Sequence, residues 1–353
     1  MNLSLSLLFL KDIKNQSPFL SKNRISMNLC SISRVFASFM ITNQEIQGNK
    51  CSFNLFLRPI LLFDSIRQYG VYTKILDERV FFQECLFSDI LSQSSYGGAL
   101  YCIGCNLSII SCRFQNCRSN SQGGGFALSG GNLELNNTCF YICSCSKTDE
   151  NGGNGFICTN SNTNIFRNNA YYSGSIKSNS GDSVFDISQK LTRVSCWNST
   201  QCLGQSGASG GCLRYMVEGS KYDYGTIYNS SDYNSIEGWY SCLYVETTNL
   251  LYNNRNDKCL IWGNQNTYMI FRHCVFYGNI KAMDSFCSFT IEDCFSDYSY
   301  LSMSTTSNIQ TLDITTNDHC KILNFVENHC TMYSFVITLG PLLHFSSFLL
   351  FFE

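Results

Sequence analysis

The chain has 353 residues, a formal net charge of −2 and a charged fraction of only 14%. This charge balance excludes the basic surface that nucleic-acid binding requires. The 27 phenylalanines and 20 tyrosines exclude ordinary disorder, because disordered chains are poor in aromatic residues. A chain of this length can bury a large core, either as one long solenoid or as two domains.

Residues 1–78 show no repeat. Residues 3–10 form a short apolar run, which is typical either of the core of a signal peptide or of a strand. Later apolar runs in this region are too short to span a bilayer. We therefore predict an irregular N-terminal region that caps a repeat domain, because an uncapped solenoid exposes its core and its strand edges.

Residues 79–175 contain a repeated phrase. Cys85, Cys112 and Cys139 recur at a spacing of 27 residues. Phe87 and Phe114 follow the first two of these cysteines at the same distance. A fixed period of this size predicts a stack of similar structural units. The apolar runs inside each unit are too short for helices, and several short strands per unit are typical of a β-helix.

Each unit also contains a pair of adjacent glycines. Glycine adopts positive φ without a steric penalty, so these pairs are predicted to form corners. The small apolar residues that follow each pair are predicted to fill the core. The pairs are Gly97 and Gly98, Gly123 and Gly124, and Gly152 and Gly153.

The repeat becomes irregular over residues 176–265, as it does when loops are inserted into single coils. It returns at Cys274 and Phe276, which copy the cysteine-phenylalanine phrase. The sequence thus predicts an all-β chain whose parallel β-helix covers residues 79–330 and is clearest over 79–175. Residues 335–352 form an apolar tail, which is either a candidate membrane anchor or a capping segment.

The 21 cysteines indicate metal or redox chemistry if the chain is cytosolic, and disulfides if it is secreted. If each 27-residue unit is one coil, Cys85, Cys112 and Cys139 lie one above another, about 4.8 Å apart. They then either fill the core as small apolar side chains or form disulfides, since this spacing suits a bridge. Both interpretations stay open at this point.

Two groups of residues contain enough thiol and imidazole groups for a zinc site. Their spacings match no standard zinc motif, so we assign no metal site. The first group is Cys102, Cys105, Cys112 and Cys117, and the second is His319, Cys320, His329 and Cys330.

A β-helix that cleaves polysaccharides is the main enzymatic alternative. Glycoside hydrolysis requires two carboxylates that flank the scissile bond. The 26 acidic residues are scattered along the chain, and adjacent acids on a strand point to opposite faces. We therefore assign no catalytic residue and no cofactor, and we expect a protein that is not an enzyme.

Two short motifs resemble those of a known protein family. Gly-Gly-Ala-Leu stands at residues 97–100, and Phe-x-x-Asn stands at residues 166–169 and 276–279. Their alternation resembles the polymorphic outer-membrane proteins of chlamydiae and similar surface families of trichomonad-type protists. The resemblance implies a right-handed parallel β-helix of the pectin-lyase-like kind, surface display and adhesion.

The expected function is that of a non-enzymatic adhesion or structural display module, at the cell surface or in secreted form. The expected partners are glycans or proteins at the cell surface, and a membrane through residues 335–352. Two alternatives stay open, a polysaccharide-cleaving β-helix enzyme and a cysteine-rich metal-binding protein. A cytoplasmic location is the alternative if the chain is a fragment without a working signal.

Overall fold

In the computed structural model of the chain, every described element is a β-strand. The described residues are 3–6, 9–11, 19–21, 25–35, 40–42, 46–56, 61–64, 79–92, 97–120, 122–145, 155–158, 163–173, 185–188, 191–202, 208–230, 234–253, 260–264, 266–279, 283–285, 288–296 and 310–312. The strands are β1 (Leu3–Ser6), β2 (Phe9–Lys11), β3 (Phe19–Ser21), β4 (Ile25–Asn28), β5 (Ser31–Val35), β6 (Met40–Thr42), β7 (Ile46–Asn49), β8 (Ser52–Phe56), β9 (Leu61–Asp64), β10 (Arg79–Gln83), β11 (Leu86–Ser88), β12 (Leu91–Ser92), β13 (Leu100–Ile103), β14 (Asn106–Ile110), β15 (Arg113–Gln115), β16 (Arg118–Ser119), β17 (Phe126–Ser129), β18 (Leu133–Asn136), β19 (Cys139–Tyr141), β20 (Ser144–Cys145), β21 (Gly155–Cys158), β22 (Thr163–Tyr171), β23 (Phe185–Ser188), β24 (Thr192–Thr200), β25 (Ala208–Arg214), β26 (Ser220–Asp223), β27 (Thr226–Tyr228), β28 (Asn234–Trp239), β29 (Cys242–Glu246), β30 (Asn249–Leu251), β31 (Ile261–Gly263), β32 (Tyr268–Arg272), β33 (Val275–Tyr277), β34 (Met283–Ser285), β35 (Ser288–Glu292), β36 (Phe295–Ser296) and β37 (Gln310–Leu312).

Consecutive coils stack their strands in parallel register. One coil begins with β10 and continues with β11, β12 and β13, and the next coil begins at β14; β12, β16 and β20 form a short separate sheet. β10 pairs with β14, β11 with β15 and β13 with β17. The chain is therefore a parallel β-helix, which confirms the predicted fold class.

Three faces run along the solenoid. The first face contains β10 and β14, the second face contains β11 and β15, and both belong to one sheet of 23 strands. The third face contains β13 and β17 and is a sheet of 11 strands. The first corner joins the first and second faces, and the second corner follows the second face. The third corner joins the third face to the first face of the next coil.

The solenoid begins earlier than the sequence analysis predicts. β1 pairs with β4, β4 with β7 and β7 with β10, so the described residues between 3 and 64 belong to the same stack. The prediction of an irregular region over residues 1–78 is therefore wrong for these residues. Equivalent first-corner residues are 21 residues apart in one early coil and 34 in the next, and this unevenness hides the period.

A stack of phenylalanine rings fills the core beneath the second face. Phe53, Phe87, Phe114 and Phe140 are fully buried. Consecutive ring centroids are 5.3, 4.6 and 5.0 Å apart, and the planes lie within 11° of parallel. Phe276 is buried on the same face of a later coil. The phenylalanines of the repeated phrase thus form the core, where ring contacts add to the energy of apolar burial.

The corners combine a residue of positive φ with a buried residue directly after it. At the first corner Glu84 and Ser111 have φ values of 51° and 53°, and Cys85 and Cys112 follow them. The first-corner positions are Leu29, Lys50, Glu84, Ser111, Asn137, Arg167, Cys196, Tyr224, Thr247, His273 and Asp293. Those of the second corner are Asp89, Asn116, Ile142, Tyr172, Gln201, Asn229, Tyr252 and Gly278. Those of the third corner include Gly104, Gly130, Tyr215, Tyr240 and Asn266.

At most of the first and second corners, the buried residue forms hydrogen bonds to its own coil and to its neighbours. The thiol sulfur of Cys112 lies 3.3 Å from the carbonyl oxygen of Ile110 and 3.5 Å from that of Phe82 in the preceding coil. The backbone N–H of Cys85 donates to the same sulfur at 3.4 Å. The thiol therefore satisfies backbone groups that the bend would leave unpaired.

Other small polar side chains perform the same function. Asn168 accepts a hydrogen bond from the Thr138 N–H at 2.8 Å. Its amide group donates to the carbonyl oxygens of Phe166 and Leu135 at 2.9 and 3.0 Å. We call these buried residues the corner ladder, which comprises Cys30, Cys51, Cys85, Cys112, Thr138, Asn168, Thr248, Cys274 and Cys294 at the first corner and Cys117, Cys143, Ser173, Cys202, Ser230, Asn253 and Asn279 at the second.

The corner ladder decides between the two interpretations of the repeated cysteines. Cys85 and Cys112 are buried thiols that are not bridged to each other. Burial raises the pKa of the Cys85 thiol and that of Cys117, so both stay protonated at neutral pH. A buried, protonated thiol is a poor nucleophile, which suits a structural role.

Cys139 departs from the predicted stacking. The register places Cys139 opposite Arg113, so Thr138 takes the position that follows Cys112 along the ladder. Cys139 is half-buried and disulfide-bonded. The prediction that Cys139 stacks on Cys112 is therefore wrong, because this coil is one residue shorter than the one before it.

The glycine pairs lie at the entry to the third face. Gly97 and Gly123 have φ values of 69° and 70°. A Cβ atom on Gly98 would lie 1.8 Å from the carbonyl oxygen of Gly124 in the next coil. The two coils therefore approach too closely for any side chain at this point. The third predicted pair, residues 152–153, lies outside the described residues.

Within the part of the chain that the structure describes, no helix is both long and apolar enough to cross a membrane. The apolar tail at residues 335–352 lies outside the described residues. Its role as a membrane anchor therefore stays a prediction.

Candidate functional site: exposed aromatic corners

Tyrosine occupies the positive-φ position at several corners and stays exposed there. Five tyrosines have φ values between 48° and 56°, and their side chains are 43% to 61% exposed. Left-handed backbone is unfavourable for bulky residues and is normally taken by glycine or asparagine. The same backbone conformation occurs at most corners of this solenoid, so the exposed ring is what distinguishes the five tyrosines. The five are Tyr172, Tyr215, Tyr224, Tyr240 and Tyr252.

The bend itself does not require tyrosine. Asn116 and Asn229 take the same position at the second corner of other coils, and Asn137 does so at the first corner. Asparagine is the residue that tolerates this conformation best after glycine. The tyrosines therefore occupy positions where a side chain better suited to the backbone also occurs in this solenoid.

The second corner carries a line of tyrosines. Tyr252 lies between Tyr228 and Tyr277, with ring centroids 6.0 and 5.4 Å away and both contacts edge-to-face. Leu251 pairs with Tyr228 and Tyr277 on the neighbouring strands and is buried. A Cβ atom on Gly278 would lie 2.4 Å from the Tyr252 ring, so this glycine leaves room for the ring. We call the line the tyrosine edge, which consists of Tyr141, Tyr171, Tyr172, Tyr228, Tyr252 and Tyr277.

The earlier coils of the tyrosine edge contain a second set of ring contacts. Tyr141 and Tyr171 stack with centroids 5.9 Å apart, and Tyr172 contacts Tyr171 edge-to-face at 4.3 Å. The guanidinium of Arg113 lies over the Tyr141 ring, 5.8 Å from its centroid. Burial lowers the pKa of Arg113 from its usual value. The edge thus presents aromatic rings beside a partly buried cation.

Another group of rings lies beside the third corner. Tyr215 and Tyr240 stack with centroids 5.6 Å apart and planes 6° from parallel. Trp239 and Trp262 lie on the adjacent strands β28 and β31, with centroids 4.9 Å apart. We call this group the aromatic patch, which consists of Arg214, Tyr215, Trp239, Tyr240 and Trp262.

Two buried carboxylates fix the orientation of the aromatic patch. Asp186 is fully buried, and its Oδ2 lies 3.4 Å from Nη2 of Arg214. The Arg214 guanidinium lies over the Trp239 ring, 5.5 Å from its centroid. The Trp239 indole N–H donates to the buried carboxylate of Glu237. Both carboxylates therefore have structural partners in the folded chain.

Ion pairs join neighbouring coils on the outer side of the first face. Each pair combines one cation with one carboxylate, so the pairs add no net charge to this face. The pairs of Glu246 and Glu292 are partly exposed and contribute little to stability, whereas the Asp223 carboxylate is buried. The pairs also give no surplus of positive charge for a polyanion such as nucleic acid. The pairs are Arg193 and Asp223, Lys221 and Glu246, and Arg272 and Glu292.

Among the described residues, no group of three or more histidine, cysteine, aspartate or glutamate side chains is arranged to hold a metal ion. Cys105, Cys112 and Cys117 follow three different corners of the coil, so the first candidate zinc group is spread around the solenoid. The second candidate group, at residues 319–320 and 329–330, lies outside the described residues.

The two copies of the Phe-x-x-Asn motif occupy different positions in their coils. Phe276 is buried on the second face, and Asn279 donates from the second corner to the carbonyl oxygen of Leu250 at 2.7 Å. Phe166 is only half-buried on the first face, and Asn169 follows the corner rather than lying on the corner ladder. Only the copy at residues 276–279 therefore contributes an asparagine to the corner ladder.

The exposed corner tyrosines are not identifiable from the sequence alone. Each stands directly before a buried corner residue, as Tyr172 stands before Ser173 and Tyr252 before Asn253. A tyrosine beside a small polar residue is frequent in this chain and carries no signal alone. The coil register supplies the missing information, because it shows which of the tyrosines fall on corners.

The fold and these clusters define a parallel β-helix protein that exposes aromatic side chains at its corners. No family model, curated protein or solved structure matches the chain. The function must therefore be inferred from the residues themselves.

Proposed function

We propose that this protein is a non-enzymatic adhesion module, displayed at the cell surface or secreted, which binds its ligand through those exposed corner tyrosines that belong to the tyrosine edge or the aromatic patch. The observation that carries the proposal is the use of tyrosine at left-handed positions where asparagine also occurs. An exposed tyrosine offers a large apolar ring and a hydroxyl group, and it loses little conformational entropy on binding.

The solenoid extends this binding surface along its axis. Equivalent corner positions repeat about every 4.8 Å, so side chains at one corner of successive coils form a line. The tyrosine edge runs in this way from Tyr141 to Tyr277, except in one coil, where Thr200 and Gln201 take the equivalent positions. Extended surfaces of this kind are what repeat solenoids use to bind large partners.

The short motifs support the surface location. Gly-Gly-Ala-Leu at residues 97–100 and Phe-x-x-Asn at residues 276–279 resemble motifs of the polymorphic outer-membrane proteins, a family in which surface display and adhesion are expected. The apolar residues 335–352 have the length that membrane attachment requires. Location can be tested by surface labelling of the tagged full chain with and without residues 335–353. Labelling of the full chain alone is expected, and a full chain that stays in the cytosol would contradict the proposal.

Adhesion through the tyrosines is tested with beads that carry the full chain. Retention is counted on surfaces coated with matrix proteins and with glycans. A fourfold variant changes Tyr172, Tyr215, Tyr240 and Tyr252 to asparagine, which suits the same backbone. Its retention is expected to fall at least about tenfold, since each lost ring removes stacking and apolar contact.

Tyr224→Asn is the matched control, because it changes an exposed corner tyrosine that contacts no other ring among the described residues. The control is expected to adhere like the unchanged chain. Equal retention of the fourfold variant and the unchanged chain would show that the corner tyrosines do not mediate adhesion. Retention on none of the surfaces would also overturn the proposal.

A polysaccharide-cleaving enzyme is the second candidate, favoured by the carboxylates of Asp186 and Glu237. They lie two strands apart on the third face, about 10 Å by strand spacing. This separation is close to the roughly 6.5–9.5 Å of inverting glycosidases. Both carboxylates are buried and bonded, to Arg214 and Trp239, which favours the structural interpretation. We therefore prefer the binding function.

A further inference from the structure

The aromatic patch differs from the tyrosine edge in its polar surroundings. We propose that the patch binds an uncharged carbohydrate chain that lies along the solenoid axis. This inference rests on the proposed binding function and names the ligand class for one of its two clusters.

The rings of the patch form a track across successive coils. Tyr240 follows Tyr215 by one coil at the third corner, with the two planes nearly parallel. Trp262 lies on the next strand of the third face, where it pairs with Glu237, and its ring contacts that of Trp239 diagonally. Coils repeat about every 4.8 Å, so the track can contact consecutive units of an extended chain. The C–H faces of pyranose rings are apolar, and they can pack against the exposed apolar surface of the Tyr215 and Tyr240 side chains.

The patch is held in one orientation before any ligand arrives. The indole N–H of Trp239 is bonded to Glu237, and the backbone N–H of Tyr240 donates to Oδ1 of Asn264 at 2.8 Å. A binding surface that is already ordered loses less entropy on association. The phenol hydroxyls of Tyr215 and Tyr240 and the side-chain amide of Asn264 are groups that can form hydrogen bonds with sugar hydroxyls.

The charges of the patch exclude anionic ligands. Arg214 is paired with Asp186 and covers the Trp239 ring, so its charge is already neutralised. Glu237 adds a second carboxylate, and the three charged groups together carry a formal charge of −1. A polyanion such as nucleic acid or an acidic glycan needs surplus positive charge. An uncharged glycan needs none, and it can use both the rings and the polar groups.

Tryptophan fluorescence reports on this site directly. The chain has three tryptophans, of which Trp239 and Trp262 lie in the patch and Trp197 is buried in the core. The full chain is titrated with cellohexaose, chitohexaose and mannohexaose, and with hexagalacturonate as an anionic control. Saturable changes in emission, and protection from a water-soluble quencher, are expected with at least one uncharged hexasaccharide and not with hexagalacturonate.

Variants locate the binding site. Tyr215→Asn with Tyr240→Asn is expected to weaken the affinity at least about tenfold, because two stacking rings are lost. Tyr224→Asn changes an exposed corner tyrosine outside both clusters and is expected to keep the affinity within about twofold. A near-native circular dichroism spectrum confirms that each variant is folded.

Three results would overturn the inference. One is that none of the uncharged hexasaccharides binds, while beads still adhere to protein-coated surfaces through Tyr215 and Tyr240. In that case the adhesion proposal holds, and the partner of the patch is a protein. Another is binding that the patch variant does not weaken. The third is the release of new reducing ends from a bound hexasaccharide, which would assign catalysis to Asp186 and Glu237.

Discussion

Gly98→Ala is expected to lower the free energy of unfolding by about 4 kcal/mol, a loss that falls in the range of severe core mutations. Gly98 does not require positive φ, so the effect comes from contact alone. Its Cβ atom would lie 1.8 Å from the Gly124 carbonyl oxygen, an atom of the backbone that cannot move without separating two coils. Urea denaturation followed by circular dichroism measures the change.

Gly130→Ala is the matched control for this prediction. Gly130 has a φ of 77°, but the nearest atom to an added Cβ is 3.6 Å away, an ordinary contact. The control thus introduces only the strain of an alanine in left-handed backbone, which is expected to lower the free energy of unfolding by about 1 kcal/mol. If both substitutions destabilise the chain equally, close packing of coils at Gly98 is not what the glycine pair provides.

Asn168→Ala is expected to lower the free energy of unfolding by about 3 kcal/mol or more. The substitution leaves the Thr138 N–H and the carbonyl oxygens of Leu135 and Phe166 without their side-chain partner. Each unsatisfied buried group costs about 1–3 kcal/mol, although the three are not fully additive. The same denaturation measurement applies.

Asn168→Cys tests whether the residues of the corner ladder are equivalent. A thiol occupies the same position at Cys112, where it contacts the corresponding groups of its own and the neighbouring coils. The cysteine variant is therefore expected to lose only about 1 kcal/mol. If the alanine and cysteine variants are equally stable, the corner ladder does not contribute through its hydrogen bonds.

The fold could be predicted where the coils have equal lengths. Cys85 and Cys112 are 27 residues apart and share a corner position, and the periodic phenylalanines stack above one another as the repeat implies. The sequence does not predict the early coils, although Cys51 and Phe53 repeat the cysteine-phenylalanine motif. Spacings of 21 and 34 residues replace the regular period there, and a search for a fixed interval does not detect them.

Cys139 shows why a spacing alone does not define a register. It is 27 residues after Cys112, yet strand pairing places Thr138 and not Cys139 at the equivalent corner. Threonine, cysteine, serine and asparagine each satisfy the same backbone groups at this position. A spacing of cysteines alone therefore does not reveal a ladder that is defined by hydrogen-bonding ability and size.

The candidate site was not predictable from one sequence for a related reason. Tyr172 and Tyr252 look like any other tyrosine in a chain that has 20 of them. Their special feature is a left-handed backbone combined with exposure, and both properties depend on where the coil bends. The buried pairing of Asp186 with Arg214 likewise joins residues from different coils, which no local pattern indicates.

The free energy of unfolding of the fourfold variant, with asparagine at Tyr172, Tyr215, Tyr240 and Tyr252, tests the central claim most directly. If these tyrosines serve binding rather than the fold, relief of left-handed strain offsets the lost ring contacts, and the value stays within about 1 kcal/mol of the unchanged chain or rises above it. A fall of about 4 kcal/mol or more, near 1 kcal/mol for each tyrosine, would contradict the claim and assign the exposed rings to the stability of the solenoid.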